Sequence, residues 1–276
     1  ICTHKEKIKP QIFDKKFNLK RLSIKKFFER SDFYLNNANF ILNSIPPKSE
    51  GDIILNNLYD KIIKFKKNIQ WYGYFSSTSV YGNHLGKWVD ESTKLMPTNL
   101  RGKLRMKSEY QHLKLFKQHD LPVHIFRLPG IYGPGKSIFE RLKSDKKIQI
   151  IKKGHFFSRV HVEDIANAIN ISMKKITPGE IFNICDDLPS QSDVVVKYAA
   201  QLMSIKNIQT INFDSSELNK KTKSFYLDNK RVKNKKIKKI LEWTPKFRTY
   251  KLGLDNLFKL ITNENSSTNS SFPEKN

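Results

Sequence analysis

Apolar and polar positions alternate along this chain in a regular rhythm. Asn39 to Ile45 is a short apolar run closed by Pro46-Pro47, a pair that continues neither a sheet nor a helix. Residues 51–66 then place Ile53, Ile54, Leu58, Ile62 and Phe65 at helical spacing with lysines opposite. Ile69 to Ser76 reads as a strand. Residues 98–119 read as a helix with Met106, Tyr110, Leu113 and Phe116 on its inner stripe, and Val123 to Leu128 as the next strand. Strand, helix, strand, helix, strand is the signature of a parallel sheet with crossover helices.

Beyond Gly135 the pattern is less regular. Helices are expected at 137–144, at 161–173 with Ile165, Ala168 and Ile169 inside, and at 191–203, with a strand at Ile181–Cys185. Residues 228–241 are lysine-rich, with Val232, Ile237, Ile240 and Leu241 turned inward. The Ser/Asn-rich stretch 263–276 reads as disordered. No internal repeat is visible.

Composition narrows the function classes. With 276 residues and 38% hydrophobic content the chain can bury one good core and a smaller appendage. It has no run of eighteen apolar residues and no signal-peptide layout, so a cytoplasmic protein without a membrane span is expected. Cys2 and Cys185 are too few for a disulfide framework. There is no metal-binding His-Glu-x-x-His, Cys-x-x-Cys or Walker pattern. The net charge of +25 raises nucleic acid as a partner. Yet of the 51 basic residues only nine are arginine, leaving 42 lysines. Nucleic-acid surfaces favour the arginine fork, so solvated lysine faces are the better reading.

Three motifs follow one another in a fixed order. They are Phe75-Ser-Ser-Thr-Ser-Val-Tyr-Gly82, Arg101-Gly-Lys-Leu-Arg-Met-Lys-Ser-Glu109 and Arg127-Leu-Pro-Gly-Ile-Tyr-Gly-Pro-Gly135. Three shorter ones come after: Arg159-Val-His-Val-Glu-Asp-Ile-Ala, Asn183-Ile-Cys-Asp-Asp-Leu-Pro189 and Glu242-Trp-Thr-Pro245. Together they resemble the NAD-dependent epimerase/dehydratase family of extended and atypical short-chain dehydrogenase/reductases, over about residues 1–258. The resemblance implies a Rossmann-like α/β fold, a doubly wound parallel sheet with a small C-terminal substrate lobe. Residues 1–135 would form the nucleotide-binding core, and 136–262 the substrate lobe with the remaining core elements. Ile1-Cys-Thr-His-Lys5 looks like the end of the second strand in YeeZ-like bacterial members. The first glycine is Gly51, so the family's first strand and glycine turn would lie upstream, and the sheet would carry an unpaired edge.

The resemblance also implies roles. The family's middle motif reads Tyr-Gly-x-Ser-Lys-x-x-x-Glu. Here Gly102 and Glu109 are kept, but Arg101 replaces the tyrosine and Arg105 the lysine. Ser77 matches the hydroxyl that holds the substrate carbonyl, with Thr78 beside it, so Ser77, Arg101 and Arg105 are the catalytic candidates. Arginine does not exchange a proton as tyrosine does. Arg105 is expected either to hold a ribose or phosphate or to pair with Glu109 at i+4, and Arg101 to bind an anionic group. Tyr81 and Tyr132 are the phenols that would replace the lost tyrosine, unless their rings simply pack in the two Tyr-Gly turns. Cofactor contacts are expected from His4, Pro46, Arg105, Pro129, Gly130, Ile131 and Tyr132. His4 and Lys5 stand where an acid would grip the NAD ribose, which tilts the expectation toward NADP. An ordinary exposed lysine is the alternative. His161 and Asp164 would orient the loop joining the lobes. The implied function is an NAD(P)-dependent oxidoreductase or epimerase-like protein acting on a nucleotide sugar or similar polar small molecule. A cofactor binder without turnover and a basic nucleic-acid binder are the alternatives.

Overall fold

The computed structural model describes residues 2–4, 19–143 and 147–269. Two short strands, β1 (Cys2–His4) and β2 (Arg21–Ser23), pair in parallel, and helices Ile24–Glu29 and Ser31–Asn36 follow. Then come β3 (Phe40–Asn43), helix Ile53–Lys64, β4 (Trp71–Ser77), a short β5 (Trp88–Val89), helix Leu100–His119 and β6 (Val123–Leu128). β7 (Gly130–Tyr132), helix Ile138–Lys143, β8 (Ile148–Ile151), β9 (Arg159–His161), helix Val162–Lys174 and β10 (Ile181–Asn183) continue the chain. Helix Ser192–Leu202, β11 (Gln209–Asn212), helix Lys220–Phe225, β12 (Arg231–Val232) and helices Lys235–Leu241 and Tyr250–Asn269 complete it.

The centre is an all-parallel sheet in the order β10-β6-β4-β3. Parallel sheets are covered on both faces, so their strands are apolar throughout. Alternation along each strand divides these side chains between two cores. Tyr72 and Tyr74 of β4 and Val123 and Ile125 of β6 join Leu58 and Ile62 of helix Ile53–Lys64 and Leu115 of helix Leu100–His119 on one face. Trp71, Phe126 and Leu128 meet Ile165, Phe182, Ile237 and Trp243 on the other. Helices on both faces make the sheet doubly wound. Gly73 is the small residue that admits the Trp71 indole: a Cβ there would lie 2.2 Å from its ring. A third cluster, including Tyr132, Phe139, Val196 and Leu254, gathers helices Ser192–Leu202 and Tyr250–Asn269.

Two expectations need correction. Of the stripe expected on helix Leu100–His119, Met106, Leu113 and Phe116 are half-buried against the core but Tyr110 is 62% exposed, and the fully buried face is Gly102, Ser108, Glu109, His112 and Leu115. The inner face is polar because each inward group finds a buried partner. The expectation of a disordered tail also fails in part, since the last helix runs through Asn269; residues 270–276 lie outside the described chain.

β3 pairs only with β4 among the described strands. Its Phe40 is 49% and its Leu42 41% exposed, unusual for apolar residues on a parallel strand. Among the described residues no helix is long and apolar enough to cross a membrane, and no group of His, Cys, Asp or Glu is placed to hold a metal ion.

Candidate active site

The C-terminal ends of parallel strands open onto a crevice, where ligands bind in open α/β sheets. Register fixes what meets there. Ser77, the last residue of β4, pairs with Leu128, the last of β6, so Pro129 and Gly130 leave the sheet beside Ser77. Asn43 of β3 pairs with Tyr74, which puts Pro46, exposed, in the loop at the same edge. β7 turns away to pair with β9, Gly130 opposite Arg159 and Tyr132 opposite His161.

Helix Leu100–His119 packs across the end of β4. Asn99 caps its N-terminus by accepting the Gly102 N–H at 2.9 Å, and is itself held by Asp228. A Cβ on Gly102 would lie 2.6 Å from the Ser79 carbonyl oxygen. Only glycine lets the helix sit this close to the turn Thr78–Tyr81. One turn further, the Arg105 guanidinium lies 5.8 Å from the Tyr74 ring centroid, and Nη1 donates to the Phe75 carbonyl. Arg105, half-buried, is thus fastened two residues before Ser77, while Arg101 is exposed. The structure brings Ser77, Arg105 and Pro129 to one edge. His4 ends β1, which pairs with β2 and not with a strand of the central sheet, opposite Ser23. Lys5 falls outside the described residues.

Each remaining candidate named from the sequence has a definite place. Ser77 Oγ accepts the Ser79 N–H at 3.2 Å, capping the strand end. Thr78 is buried. The Tyr81 hydroxyl donates to Asn183 Oδ1 at 2.8 Å and receives Arg127 Nη1 at 3.0 Å. Burial pushes that phenol up to about 12, against the pull of Arg127. Tyr132 is buried with no partner for its hydroxyl among the described residues, and burial raises its phenol well above the ordinary range. A Cβ on Gly253 would lie 2.0 Å from that hydroxyl, so the ring is wedged against the last helix. Neither phenol is free at the crevice.

Glu109 does not pair with Arg105. Both of its oxygens are taken by Arg127, Nε to Oε1 at 3.0 Å and Nη2 to Oε2 at 2.7 Å, and Ser76 Oγ adds 2.6 Å to Oε1. A second buried network lies one turn on. Asp52 receives Asn43, Ser108 and the N–H groups of Ile54 and Leu55. His112 lies against Tyr74 with ring centroids 4.0 Å apart. Burial lowers the His112 imidazole to about 4, although Asp52 opposes it. His161 accepts the Glu163 N–H, and Asp164 accepts Lys246 N at 2.6 Å and Phe247 N at 3.1 Å. The Asp164 carbonyl also takes the Trp243 indole N–H, so this aspartate clamps the Trp-Thr-Pro segment to the sheet.

Comparison with known proteins bears on the family and the fold. Residues 57–185 match the model of the NAD dependent epimerase/dehydratase family. A solved structure of a functionally unknown conserved protein from Silicibacter pomeroyi is 42% identical with a TM-score of 0.78, covering 81% of this chain and 78% of that one. The chain belongs to the NAD dependent epimerase/dehydratase family. YeeZ of Escherichia coli K12 is 31% identical over 140 residues, 50% of this chain and 47% of YeeZ. The dTDP-glucose 4,6-dehydratase of Bacillus anthracis, solved in complex with NAD, shares the fold at 20% identity. Its TM-score is 0.71, covering 89% of this chain and 80% of that one. The chain spans about half the length of the curated relatives it matches.

Two buried pairings are not among the expectations from sequence, Glu109 with Arg127 and Asp52 with Ser108. A signal for the first is present. Glu109 and Arg127 each open or close a recognised motif, and two motifs that meet across a sheet need a shared fastening.

Proposed function

We propose that this chain is the nucleotide-fold part of an NAD(P)-dependent oxidoreductase or epimerase-like protein whose substrate is a nucleotide sugar or a similar polar metabolite. The observation that carries the reading is the meeting of Ser77, Arg105 and Pro129 at the C-terminal edge of the parallel sheet. The family membership and the NAD-complexed dehydratase of the same fold support a nicotinamide cofactor.

The residues present fit one part of such a cofactor. Ser77 and the backbone of Pro129 to Ile131 offer a hydroxyl and an exposed glycine at one edge, suited to a ribose and nicotinamide, with the Arg105 cation beside them. No glycine turn precedes a helix at the β1–β2 end among the described residues, so no pyrophosphate contact is assigned. When bound, the cofactor supplies hydride transfer. The chain's own part is to hold a carbonyl or hydroxyl at Ser77 and a charged group at the arginines. With Tyr81 bonded at both sides and Tyr132 wedged, neither of these two phenols stands ready as the proton donor, which favours cofactor binding without turnover as the second reading.

Titration calorimetry with NADH and NADPH tests the first claim, and saturable binding of one of them is expected. A nucleotide-sugar turnover assay then separates the two readings. Turnover that falls in Ser77→Ala supports the enzyme; cofactor binding without any turnover supports the second. Binding of neither nucleotide would refute both.

A further inference from the structure

We propose that Arg101 and Arg105 form an oxyanion site that grips a carboxylate or phosphate of the bound substrate. This rests on the reading above only for the word substrate; the site itself rests on the arginines. They stand one helical turn apart on helix Leu100–His119, at i and i+4, and so share a face. The helix N-terminus is fastened to the turn after β4 through Gly102, which brings that face to the crevice edge.

Three observations make Arg105 a receptor and not the half of a salt bridge. Its natural intrahelical partner, Glu109, is saturated by Arg127 and Ser76. Of the other carboxylates at this helix, Asp52 is saturated by Asn43, Ser108 and two backbone N–H groups, and Asp228 is taken by Thr98, Asn99 and Lys230. Arg105 is nevertheless held in place. Nη1 is fixed to the Phe75 carbonyl and the plane lies near the Tyr74 ring, while Nε and Nη2 make no hydrogen bond among the described residues. An anchored guanidinium with a free fork edge, half-buried, is the geometry that takes a planar oxyanion through two parallel bonds. Arg101, exposed one turn earlier and without a carboxylate partner among the described residues, adds a second positive charge. Anion capture thus replaces proton exchange on this helix face.

Calorimetry at fixed ionic strength with two probes, inorganic phosphate and glucuronate, tests this and tells a phosphate site from a carboxylate site. Arg105→Gln should weaken the preferred probe by about tenfold or more, and Arg105→Lys by an intermediate factor because it keeps the charge but loses the fork. Arg101→Gln, at an exposed position, should weaken it by about threefold. Lys117→Gln, an exposed cation at the far end of the same helix, should leave it within about twofold. Melting temperatures confirm that each variant is folded, and the Lys and Arg101 variants remain informative if Arg105→Gln is not. Equal effects of the Arg105, Arg101 and Lys117 variants would reduce the binding to bulk charge and overturn the proposal, as would no binding of either probe. Arginine-dependent binding in a parent that takes neither NADH nor NADPH would uphold this site while sinking the cofactor reading.

Discussion

Arg127 holds Glu109 with both edges of its guanidinium, 3.0 Å from Nε to Oε1 and 2.7 Å from Nη2 to Oε2, with both side chains about 3% exposed. Arg127 sits on β6 and Glu109 on the helix that carries Arg101 and Arg105. This pair therefore sets where the arginine face stands relative to Ser77. Removing one partner leaves an uncompensated buried charge. Glu109→Ala should destabilise the chain by about 3–5 kcal/mol in urea unfolding. A cost under about 1 kcal/mol would show that the pair does not fasten the helix.

The Tyr81 hydroxyl links that pair to Asn183 on β10. Tyr81→Phe leaves two buried polar groups without a partner and should cost about 1–3 kcal/mol of stability. Cofactor affinity should stay unchanged, because the ring does not reach the crevice. Loss of binding without loss of stability would give Tyr81 a role at the site.

His112 and Asp186 give opposite pH dependences. Burial lowers the folded-state His112 to about 4 from an ordinary 6.5, so the unfolded chain binds the extra proton first. Its contribution is complete above pH 6.5 and is lost as pH falls toward 4, on the order of 3 kcal/mol. Burial raises Asp186 to about 8 from 3.8, against the opposing pull of Arg159. Here the unfolded chain releases its proton first, so stability falls as pH rises from about 4 to 8. Asp186→Asn should therefore stabilise the chain at about pH 8 and have little effect at about pH 4, measured by chemical unfolding at both. The reverse order would contradict the assignment.

Among the described strands β3 is paired on one side only, and it carries Phe40 and Leu42, each more than 40% exposed. Unpaired edges of this kind recruit other chains. Leu42→Lys should lower concentration-dependent light scattering while leaving the melting temperature within a few degrees. Unchanged scattering would place the sticky surface elsewhere.

Much of the architecture can be read from the order of residues. The central strands and crossover helices alternate clearly, because strands buried on both faces are continuous apolar runs and Pro46-Pro47 and Pro129 mark where they stop. Helix Leu100–His119 is legible in extent but not in orientation. Its inward face is Gly102, Glu109 and His112, and polarity signals burial only when the partner, here Arg127 or Asn43, is known. The lysine-rich stretch is less plain than its composition suggests. Arg231 and Val232 form a strand beside β5, and Lys230 is 8% exposed, because the neighbouring turn at Asn229 ties this segment to Asn83 and Gly154. The absence of an Arg105–Glu109 pair is not written in the local spacing, since i, i+4 permits the pair and only the long-range Arg127, which opens the next motif, competes.

The central claim is that a nicotinamide nucleotide lies at the C-terminal edge of the sheet beside Ser77 and Pro129. Hydrogen exchange with and without saturating NADPH or NADH tests it most directly. The account predicts slowed exchange in the amides of residues 77–79 and 130–132, with residues 148–151 and 209–212 unchanged. Protection confined to the lysine-rich surface, or none in either segment, would contradict it.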